Sequence, residues 1–188
     1  IKDDEGELGK IYSEAVRDRV PVMRKETREL LKTQLIMKRP MQILEIGTAV
    51  GYSASCFVKY AKDAIVDTIE LDEVRAQEAI ENVKKIGVDN NINIMVGNAV
   101  DILPTLNGEY DLVFIDAAKS KYSIFLSEGI RLIRNGGIIL ADNVLYKGYV
   151  MSDYNKHKQR TAVRHLREYI KEVTENPNLE TEILEVGD

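Results

Sequence analysis

The sequence has no tryptophan, one cysteine, two histidines and four prolines among its 188 residues. A single cysteine, Cys56, excludes an internal disulfide and fits a reducing cytoplasm, where we expect this protein to act. Both histidines fall in one late segment, which argues against a histidine metal site or a Ser-His-Asp triad. No apolar run approaches the ~20 residues of a membrane span, and residues 1–5 are too acidic for a secretory signal. We therefore expect no membrane partner.

The size and the charge of the chain limit its organisation. A length of 188 residues fits one domain, 1–188. Within it we expect N-terminal helices at about 4–38 and a cofactor-binding core at about 41–188. The net charge of −5 argues, for the chain as a whole, against a general nucleic-acid binder.

Strand patterns alternate with helix patterns along most of the chain. Apolar spacing predicts helices at 4–18 and 27–38, separated by an extended stretch at 20–23. The later strands are predicted at 41–46, 64–71, 91–96, 112–116, 138–141 and 179–186, and the later helices at 53–61, 72–86, 99–106, 121–133 and 156–175. This alternation predicts an α/β fold, a mostly parallel central sheet with helices on both faces.

A glycine-containing turn follows the first predicted strand. Gly47 and Gly51 allow positive φ and close approach of a ligand, and the next helix offers free N–H groups at its start. Such a turn also occurs for packing alone, but two acids make it more specific. Glu45 lies where a phosphate-binding loop would have neutral or basic groups, and Glu70 ends the next strand. An acid at the second position binds ribose hydroxyls. We therefore predict S-adenosylmethionine, which has a ribose and a cationic end, rather than NAD.

A second group of polar residues follows the fourth and fifth predicted strands. Asp116, Asp142 and Asn143 converge at the edge where ligands bind in such sheets. Two carboxylates and an amide oxygen suit Mg²⁺ or another divalent cation, although each residue alone could simply cap a turn or helix. A divalent cation would lower the pKa of Lys119, which makes this lysine a candidate general base rather than an ordinary surface residue.

A late segment of the chain is strongly basic. Residues 147–171 hold seven basic and two acidic residues, a net charge of +5, so the rest of the chain carries −10. Tyrosines and histidines lie among the basic residues, which suits a single-stranded nucleic acid with stacked bases. The alternative is a solvated helix face with a flexible lid. The candidate nucleic-acid residues are Lys147, Lys156, Lys158, Arg160 and Arg164.

Four motifs together resemble the metal-dependent class I O-methyltransferases of the catechol and caffeoyl-CoA type. They are Leu44-Glu45-Ile46-Gly47, Gly51-Tyr52-Ser53, Asp116-Ala117-Ala118-Lys119 and Ala141-Asp142-Asn143. The resemblance covers nearly the whole chain and implies a Rossmann-like, S-adenosylmethionine-dependent methyltransferase fold. Within the family, the chain is most similar to the bacterial branch that methylates 5-hydroxyuridine at the tRNA wobble position to 5-methoxyuridine.

The resemblance also implies a role for each matching residue. Glu45 would meet the methionine amino group, Ser53 its carboxylate, and Glu70 the ribose. Asp116, Asp142 and Asn143 would hold the metal, and Lys119 would be the catalytic base. The full set of implied cofactor residues is Val22, Met23, Glu45, Gly47, Tyr52, Ser53, Glu70, Leu71, Gly97, Asn98, Ala99 and Asp116. A homodimer is also expected.

The chain departs from the family pattern in two places. Animal catechol enzymes have a tryptophan where this chain has Ala118, so the aromatic wall beside the acceptor is absent or built differently. The family also continues beyond residue 188 into one more strand, antiparallel to the last. The expected acceptor is a tRNA anticodon loop, with a small catechol-like or caffeoyl-CoA-like phenol as the alternative. A nucleotide-binding module without catalysis is the third possibility, but all four metal and base residues are present.

Overall fold

The computed structural model describes residues 5–152 and 160–186. Its helices are α1 Gly6–Arg17, α2 Lys25–Lys38, α3 Tyr52–Tyr60, α4 Glu73–Ile86, α5 Ala99–Ile102, α6 Tyr122–Leu132 and α7 Arg160–Glu175. Its strands are β1 Gln42–Ile46, β2 Ile65–Glu70, β3 Ile92–Val96, β4 Tyr110–Ile115 and β5 Ile133–Ala141. The α/β alternation predicted from the sequence is confirmed.

The strands form one parallel sheet in the order β3-β2-β1-β4-β5. The chain winds outward from β1 in one direction to β3 and then returns to β4 on the other side. In β1, Ile46 is in register with Ile69 of β2 and with Ile115 of β4. The order therefore reverses between β1 and β4, and this is where open parallel sheets bind ligands.

Side chains that alternate along the strands build a hydrophobic core on each face of the sheet. Ile43 of β1 and Phe114 of β4 pack with α1, α2 and α3 on one face. Leu44 and Val113, their neighbours in sequence, pack with α6 and α7 on the other. Because both faces are covered, the strands consist of nearly continuous apolar residues.

Helix α4 shows how local sequence sets an element's limits. Oδ1 of Asp72 accepts hydrogen bonds from the backbone N–H groups of Val74 and Arg75, at 2.9 and 3.0 Å, and so caps the start of the helix. Gly87 ends it with a left-handed φ of 77°. The predicted helix 72–86 is thus confirmed to within one residue.

The predicted strand 179–186 is wrong. None of these residues is in a strand, and the side chains of Ile183, Leu184 and Val186 are exposed. The segment instead turns back beside α7, where the Thr181 hydroxyl donates to the carbonyl of Val173 at 2.8 Å. Alternating apolar residues form a strand only with a neighbouring backbone to pair with, and no described strand pairs with this segment.

Two further predicted boundaries need correction. The helix predicted at 99–106 ends at Ile102 and continues as a 3-10 turn over Leu103–Thr105, because Pro104 has no N–H for helical hydrogen bonding. The last core strand begins at Ile133 rather than at Ile138. It contains the predicted glycine turn as a bulge, with a register shift against β4 and a φ of 77° at Gly136. Pro104 in the first case and Gly136 in the second alter the path of the backbone, whereas the order of helices and strands is as predicted.

Within the described ranges, 5–152 and 160–186, no helix has the length and apolar composition needed to cross a membrane.

Candidate active site

Backbone hydrogen bonds connect the carboxyl ends of all five strands. Each joins the residue just after a strand to a residue in the neighbouring strand. Across the sheet they run from the Gly97 N–H to the Glu70 carbonyl at 2.8 Å, from Gly47 to Ile69 at 3.0 Å, from Asp116 to Ile46 at 3.0 Å and from Asp142 to Ile115 at 3.0 Å. The residues that the sequence singles out thus lie in one row along one edge of the sheet.

A cavity of about 1010 Å³ opens above this edge. Most of the residues predicted to contact the cofactor, the metal or the acceptor line it. These are Val22, Met23, Gly47, Tyr52, Ser53, Glu70, Leu71, Gly97, Asn98, Ala99, Asp116, Lys119, Asn143 and Lys147. The structure thereby brings together residues that are more than 120 positions apart in sequence. Glu45 and Asp142 are buried and do not line the cavity.

Gly47 has a reason to be glycine that the sequence did not reveal. Its φ is 109°, and a Cβ at this position would lie 2.1 Å from the carbonyl oxygen of Asp116. From the sequence, Gly47 is expected to leave room for a ligand. The close neighbour is in fact the backbone at the end of β4, so this glycine lets the β1 turn and the Asp116 segment come into contact.

Glu70 is held at the cavity wall by two backbone donors. The N–H of Ala49 donates to Oε2 at 2.7 Å, and the N–H of Asp72 donates to Oε1 at 3.0 Å. Because each carboxylate oxygen can accept more than one hydrogen bond, both oxygens keep capacity for a ligand. The carboxylate is thus fixed in position before a ligand binds.

Glu45 is completely buried at the end of β1. Thr68 donates a hydrogen bond to its Oε2 at 2.5 Å, whereas its Oε1 has no hydrogen-bond partner among the described residues. Burial raises the pKa of Glu45 to about 8, although the hydroxyls of Ser53 and Thr68 offset part of the rise. A carboxyl in this state is suited to a cationic or hydrogen-bond-donating partner.

Asp116, Asp142 and Asn143 lie at the adjoining ends of β4 and β5. Oδ1 of Asp142 accepts a hydrogen bond from the N–H of Asn143 at 2.8 Å and from the hydroxyl of Thr27 at 3.5 Å. Asn143 has a left-handed φ of 59°, a conformation that asparagine tolerates better than most residues. In the part of the chain that the structure describes, no three His, Cys, Asp or Glu side chains group closely enough for a metal site. The predicted set has two carboxylates, and its third member is an amide.

Lys119 reaches back over the strand ends. Its Nζ lies 3.5 Å from Oδ1 of Asp116 and donates to the carbonyl of Asp142 at 3.0 Å. It also hydrogen-bonds to the hydroxyl of Tyr122, a fully buried residue at the start of α6. Tyr122 in turn donates to the Asp142 carbonyl at 2.9 Å, and burial raises its pKa well above the usual range. Lys119 is thus held between the two strand ends.

The segment between α1 and α2 forms another wall of the cavity. Residues 20–24 contribute, including the predicted Val22 and Met23, and they lie between the two helices without belonging to a helix or a strand. The neighbouring Arg28 is buried and donates to the hydroxyl of Tyr52 at 3.1 Å. The N-terminal helices therefore contribute directly to the site.

The predicted nucleic-acid residues do not form one continuous group in the described structure. Lys147 lines the cavity, together with Arg24, Arg75 and Lys121, three cations that the sequence interpretation missed. Arg160 and Arg164 are exposed on α7, where Arg164 lies 3.8 Å from Glu168. Lys156 and Lys158, and with them the predicted helix start at 156, lie outside the described residues.

Two tyrosines at the site were also missed. Tyr122 could have been found from its spacing, since it lies three residues after Lys119, one turn along a helix. Tyr146 lines the cavity on the loop after Asn143. No sequence pattern indicated it, because its position depends on the path of an irregular loop. It supplies an aromatic ring in the cavity that Ala118 also lines, where animal catechol enzymes have a tryptophan.

Comparison with known proteins agrees with this geometry. A family model described as O-methyltransferase matches residues 5–188. A catechol O-methyltransferase of Niastella koreensis is 37% identical over 116 residues, which are 59% of this chain and 52% of that protein. A structure described as a putative caffeoyl-CoA O-methyltransferase from Staphylococcus aureus has a TM-score of 0.86 and 30% identity, covering 94% of this chain and 86% of that one.

A third relative carries the cofactor. The O-methyltransferase TomG of Streptomyces achromogenes, crystallised with SAM, has a TM-score of 0.81 and 26% identity, covering 92% of this chain and 79% of that one. The chain spans about half the length of the first curated relatives it matches. The match over residues 5–188, together with the fold and the arrangement of the strand ends, shows that the chain belongs to the O-methyltransferase family.

Proposed function

We propose that this protein is an S-adenosylmethionine- and Mg²⁺-dependent O-methyltransferase. One observation carries the proposal: Glu70, Asp116, Lys119 and Asn143 line a single cavity at the point where the strand order reverses. This arrangement places candidate groups for a ribose, a metal and a proton within one site. A nucleotide-binding module without catalysis would not need the lysine or the metal residues.

The cavity fits S-adenosylmethionine on chemical grounds. Glu70, held by two backbone N–H groups, would accept from the ribose hydroxyls. The buried Glu45 has an oxygen without a partner among the described residues, which suits the cationic methionine amino group. Gly97, Asn98 and Ala99 would lie along the adenine. When bound, the cofactor supplies an activated methyl group.

Asp116, Asp142 and Asn143 would hold the metal. Two carboxylates and an amide are hard oxygen donors, the kind that Mg²⁺ prefers. The chemistry that a metal held there would supply is a lower pKa for the acceptor hydroxyl. The Thr27 hydroxyl and the Asn143 N–H fix one oxygen of Asp142 and so orient this carboxylate.

The reaction uses Lys119 as general base. Its Nζ takes the proton of the acceptor hydroxyl, while Tyr122 and the Asp142 carbonyl hold the lysine in position. The cofactor would supply the methyl group to that oxygen, and the electron pair of the carbon–sulfur bond would stay on sulfur. Most of the rate enhancement would come from holding the two reactants close together in line.

The acceptor we favour is 5-hydroxyuridine at the wobble position of tRNA. Its 5-hydroxyl and O4 form a pair of adjacent oxygens, and Arg24, Lys121 and Lys147 place positive charge at the cavity wall for phosphates. A small phenol with two adjacent hydroxyls is the second candidate. It is favoured by the relatives that are described as catechol and caffeoyl-CoA O-methyltransferases.

Methyl transfer to both acceptor classes decides between them. The assay uses labelled S-adenosylmethionine with bulk tRNA lacking the modification and, in parallel, a panel of catechols. Transfer to tRNA at low acceptor concentration supports the wobble uridine, and transfer to catechols alone supports the small phenol. Absence of transfer to either class, with cofactor binding intact, would contradict the proposed function. The predicted homodimer is tested by the mass of the protein in solution.

A further inference from the structure

The loop after β5 carries three cavity residues on an unusual backbone. We consider residues 143–152 together as loop 143–152. Asn143, Tyr146, Lys147 and Gly148 all have left-handed φ angles, of 59°, 49°, 60° and 74°. Two of these residues, Tyr146 and Lys147, are neither glycine nor asparagine, so this conformation is disfavoured for them. Such a backbone persists only where its surroundings hold it.

Arg167 on α7 supplies that support. Its Nε donates to the carbonyl of Val150 at 3.0 Å. Its Nη2 donates to the carbonyls of Ser152 and Tyr149, at 2.5 and 3.4 Å. One guanidinium therefore binds three backbone carbonyls in the turn that follows Tyr146. A guanidinium can do this because its donors lie in a rigid planar fork.

The helix that carries Arg167 is itself anchored in the core. Val163 and Leu166, on the same helix, are almost completely buried. Tyr169 packs edge-on against Tyr122 with ring centroids 5.4 Å apart, and Tyr122 hydrogen-bonds to Lys119. Helix α7 thus contacts both loop 143–152 and the tyrosine that holds the proposed base. This helix adds a second connection between the loop and Lys119, beside the hydrogen bond from Lys119 to the Asp142 carbonyl.

The turn held by Arg167 also orients the cavity side chains. The Tyr149 N–H donates to the Tyr146 carbonyl at 3.2 Å, and the two tyrosine rings pack edge-on with centroids 6.0 Å apart. Tyr149, whose carbonyl accepts from Arg167, therefore contacts both the backbone and the ring of Tyr146. Lys147 is the next residue, and it lies at the cavity wall.

We propose that Arg167 is a positioning residue for acceptor binding, acting through the backbone of loop 143–152. By holding the turn at 149–152 it keeps the Tyr146 ring and the Lys147 cation where the acceptor binds. This rests on the proposed methyl transfer. The charge of Arg167 alone would have assigned it to phosphate binding, but in the structure its Nε and Nη2 donate to protein carbonyls.

A fluorescent reporter tests the structural part of this proposal without any activity. Because the chain has no tryptophan, Tyr149→Trp introduces a single reporter into the turn. In that background, Arg167→Ala should increase quenching by acrylamide, and Arg167→Lys should give a smaller increase. Arg131→Ala is the matched control, since Arg131 donates to the carbonyls of Leu103 and Leu106, far along the chain from this loop.

Kinetics test the functional part. Without the reporter substitution, Arg167→Ala should lower kcat/KM for the acceptor roughly 10- to 100-fold, mainly through KM. The dissociation constant for S-adenosylhomocysteine should stay within about twofold of the original value, since Arg167 donates to the carbonyls of Tyr149, Val150 and Ser152, none of which is assigned to the cofactor. Arg167→Lys keeps the positive charge but lacks the planar set of donors. It should therefore bring the acceptor KM only part of the way back to its original value. Arg131→Ala should leave that KM unchanged.

The outcomes separate this proposal from the proposed function. Unchanged quenching in Arg167→Ala would overturn the positioning role, whatever the enzyme's activity. Full recovery by Arg167→Lys, with a reduced salt dependence in Arg167→Ala, would overturn it in favour of phosphate binding. Increased quenching with an unchanged acceptor KM would also overturn it. If no acceptor is methylated by the unchanged protein, the proposed function fails, and the quenching experiment still decides whether Arg167 holds the loop.

Discussion

The Thr68 hydroxyl donates to one oxygen of Glu45, and the other oxygen of this buried carboxyl has no partner among the described residues. Thr68 is itself 2.6 Å from the hydroxyl of Thr48, in the turn after β1. Glu45 therefore belongs to a short chain of hydroxyls behind the cavity wall. We propose that this oxygen accepts the amino group of the cofactor, the role that the resemblance to the family implies for Glu45.

Replacing Glu45 with glutamine should flatten the dependence of stability on pH. The pKa of Glu45 rises from 4.5 to about 8 on folding, so the folded state binds this proton more tightly. The free energy of unfolding should therefore fall as the pH rises from about 4.5 to about 8. The decrease is on the order of a few kcal/mol, at about 1.4 kcal/mol per pKa unit. Urea denaturation across this range measures it, and an equal decline in Glu45→Gln would contradict the assignment.

Binding of the cofactor should release a proton from Glu45. A cation beside this carboxyl stabilises its ionised form, so at a pH below about 8 the bound state holds one proton fewer. Calorimetry with S-adenosylhomocysteine in buffers of different ionisation enthalpy counts the proton. Glu45→Gln provides the comparison and should show no release from this site.

Replacing Glu70 with alanine should weaken binding of S-adenosylmethionine. The variant loses the acceptor for the ribose hydroxyls and also the partner of two backbone N–H groups. Hydrogen bonds to charged groups contribute roughly 1.5–3 kcal/mol each. Calorimetry measures the change, and replacement of the nearby exposed Glu73 with alanine is the control, which should bind normally. Equal affinity in both variants would remove Glu70 from the cofactor site.

Removal of the metal should abolish methyl transfer, and Mg²⁺ or Mn²⁺ should restore it. Asp142→Ala should lose activity but keep its affinity for S-adenosylhomocysteine. The free energy of unfolding, measured in the presence of S-adenosylhomocysteine, gives a readout without catalysis. Mg²⁺ at 100 times its dissociation constant should raise this free energy by about 2.7 kcal/mol. The increase should disappear in Asp142→Ala. Full activity in excess chelator would exclude a metal requirement, and Asn143 would then have no role as a metal ligand.

Replacing Lys119 with methionine should lower kcat by a far larger factor than it weakens the binding of either substrate. A general base contributes about 10²–10⁴-fold. Tyr122→Phe should have a smaller effect, because the Asp142 carbonyl still accepts from Lys119. Single-turnover rates measure both variants. A decrease of less than about tenfold in Lys119→Met would indicate that the proton does not pass through this lysine.

Charge reversal of Lys147, Lys156 and Lys158 should weaken tRNA binding and reduce its salt dependence. For every phosphate that the variant no longer neutralises, the slope of log affinity against log salt should decrease in magnitude by about 0.7–0.9. Filter binding across a salt series measures the slope. Methylation of a small catechol, if the protein catalyses it, should change little. If the affinity and the slope survive, the basic residues do not bind tRNA, and the small-phenol acceptor becomes the better hypothesis.

The spacing of apolar residues was sufficient to predict the helices and strands whose limits depend only on local sequence. The apolar strands, the Asp72 cap and the glycine end of α4 follow from local chemistry. The strand at 179–186 failed because pairing depends on a neighbour that local sequence does not specify. Similarly, the positions of Asp116 and Asn143 could be predicted from the strand ends. Tyr146 could not, since its place depends on an irregular loop held from another helix.

The charge of a residue, taken alone, was the least reliable guide to whether that residue faces the cavity. Arg167 belongs to the basic segment, yet its guanidinium binds backbone carbonyls of the same chain. Lys121 lies outside that segment and lines the cavity. Whether a cation faces a ligand or its own protein depends on packing, which a count of charges does not include.

The close approach of Gly47 to Asp116 has a consequence for engineering acceptor choice. With no side chain at Gly47, the β1 turn lies against the backbone at the end of β4, and any side chain introduced at this position would displace the Asp116 segment. Libraries aimed at new acceptors should therefore leave this junction unchanged. Diversity belongs at Tyr146 and Lys147, which border the same cavity from the loop after β5 and are not among the residues assigned to the methyl donor.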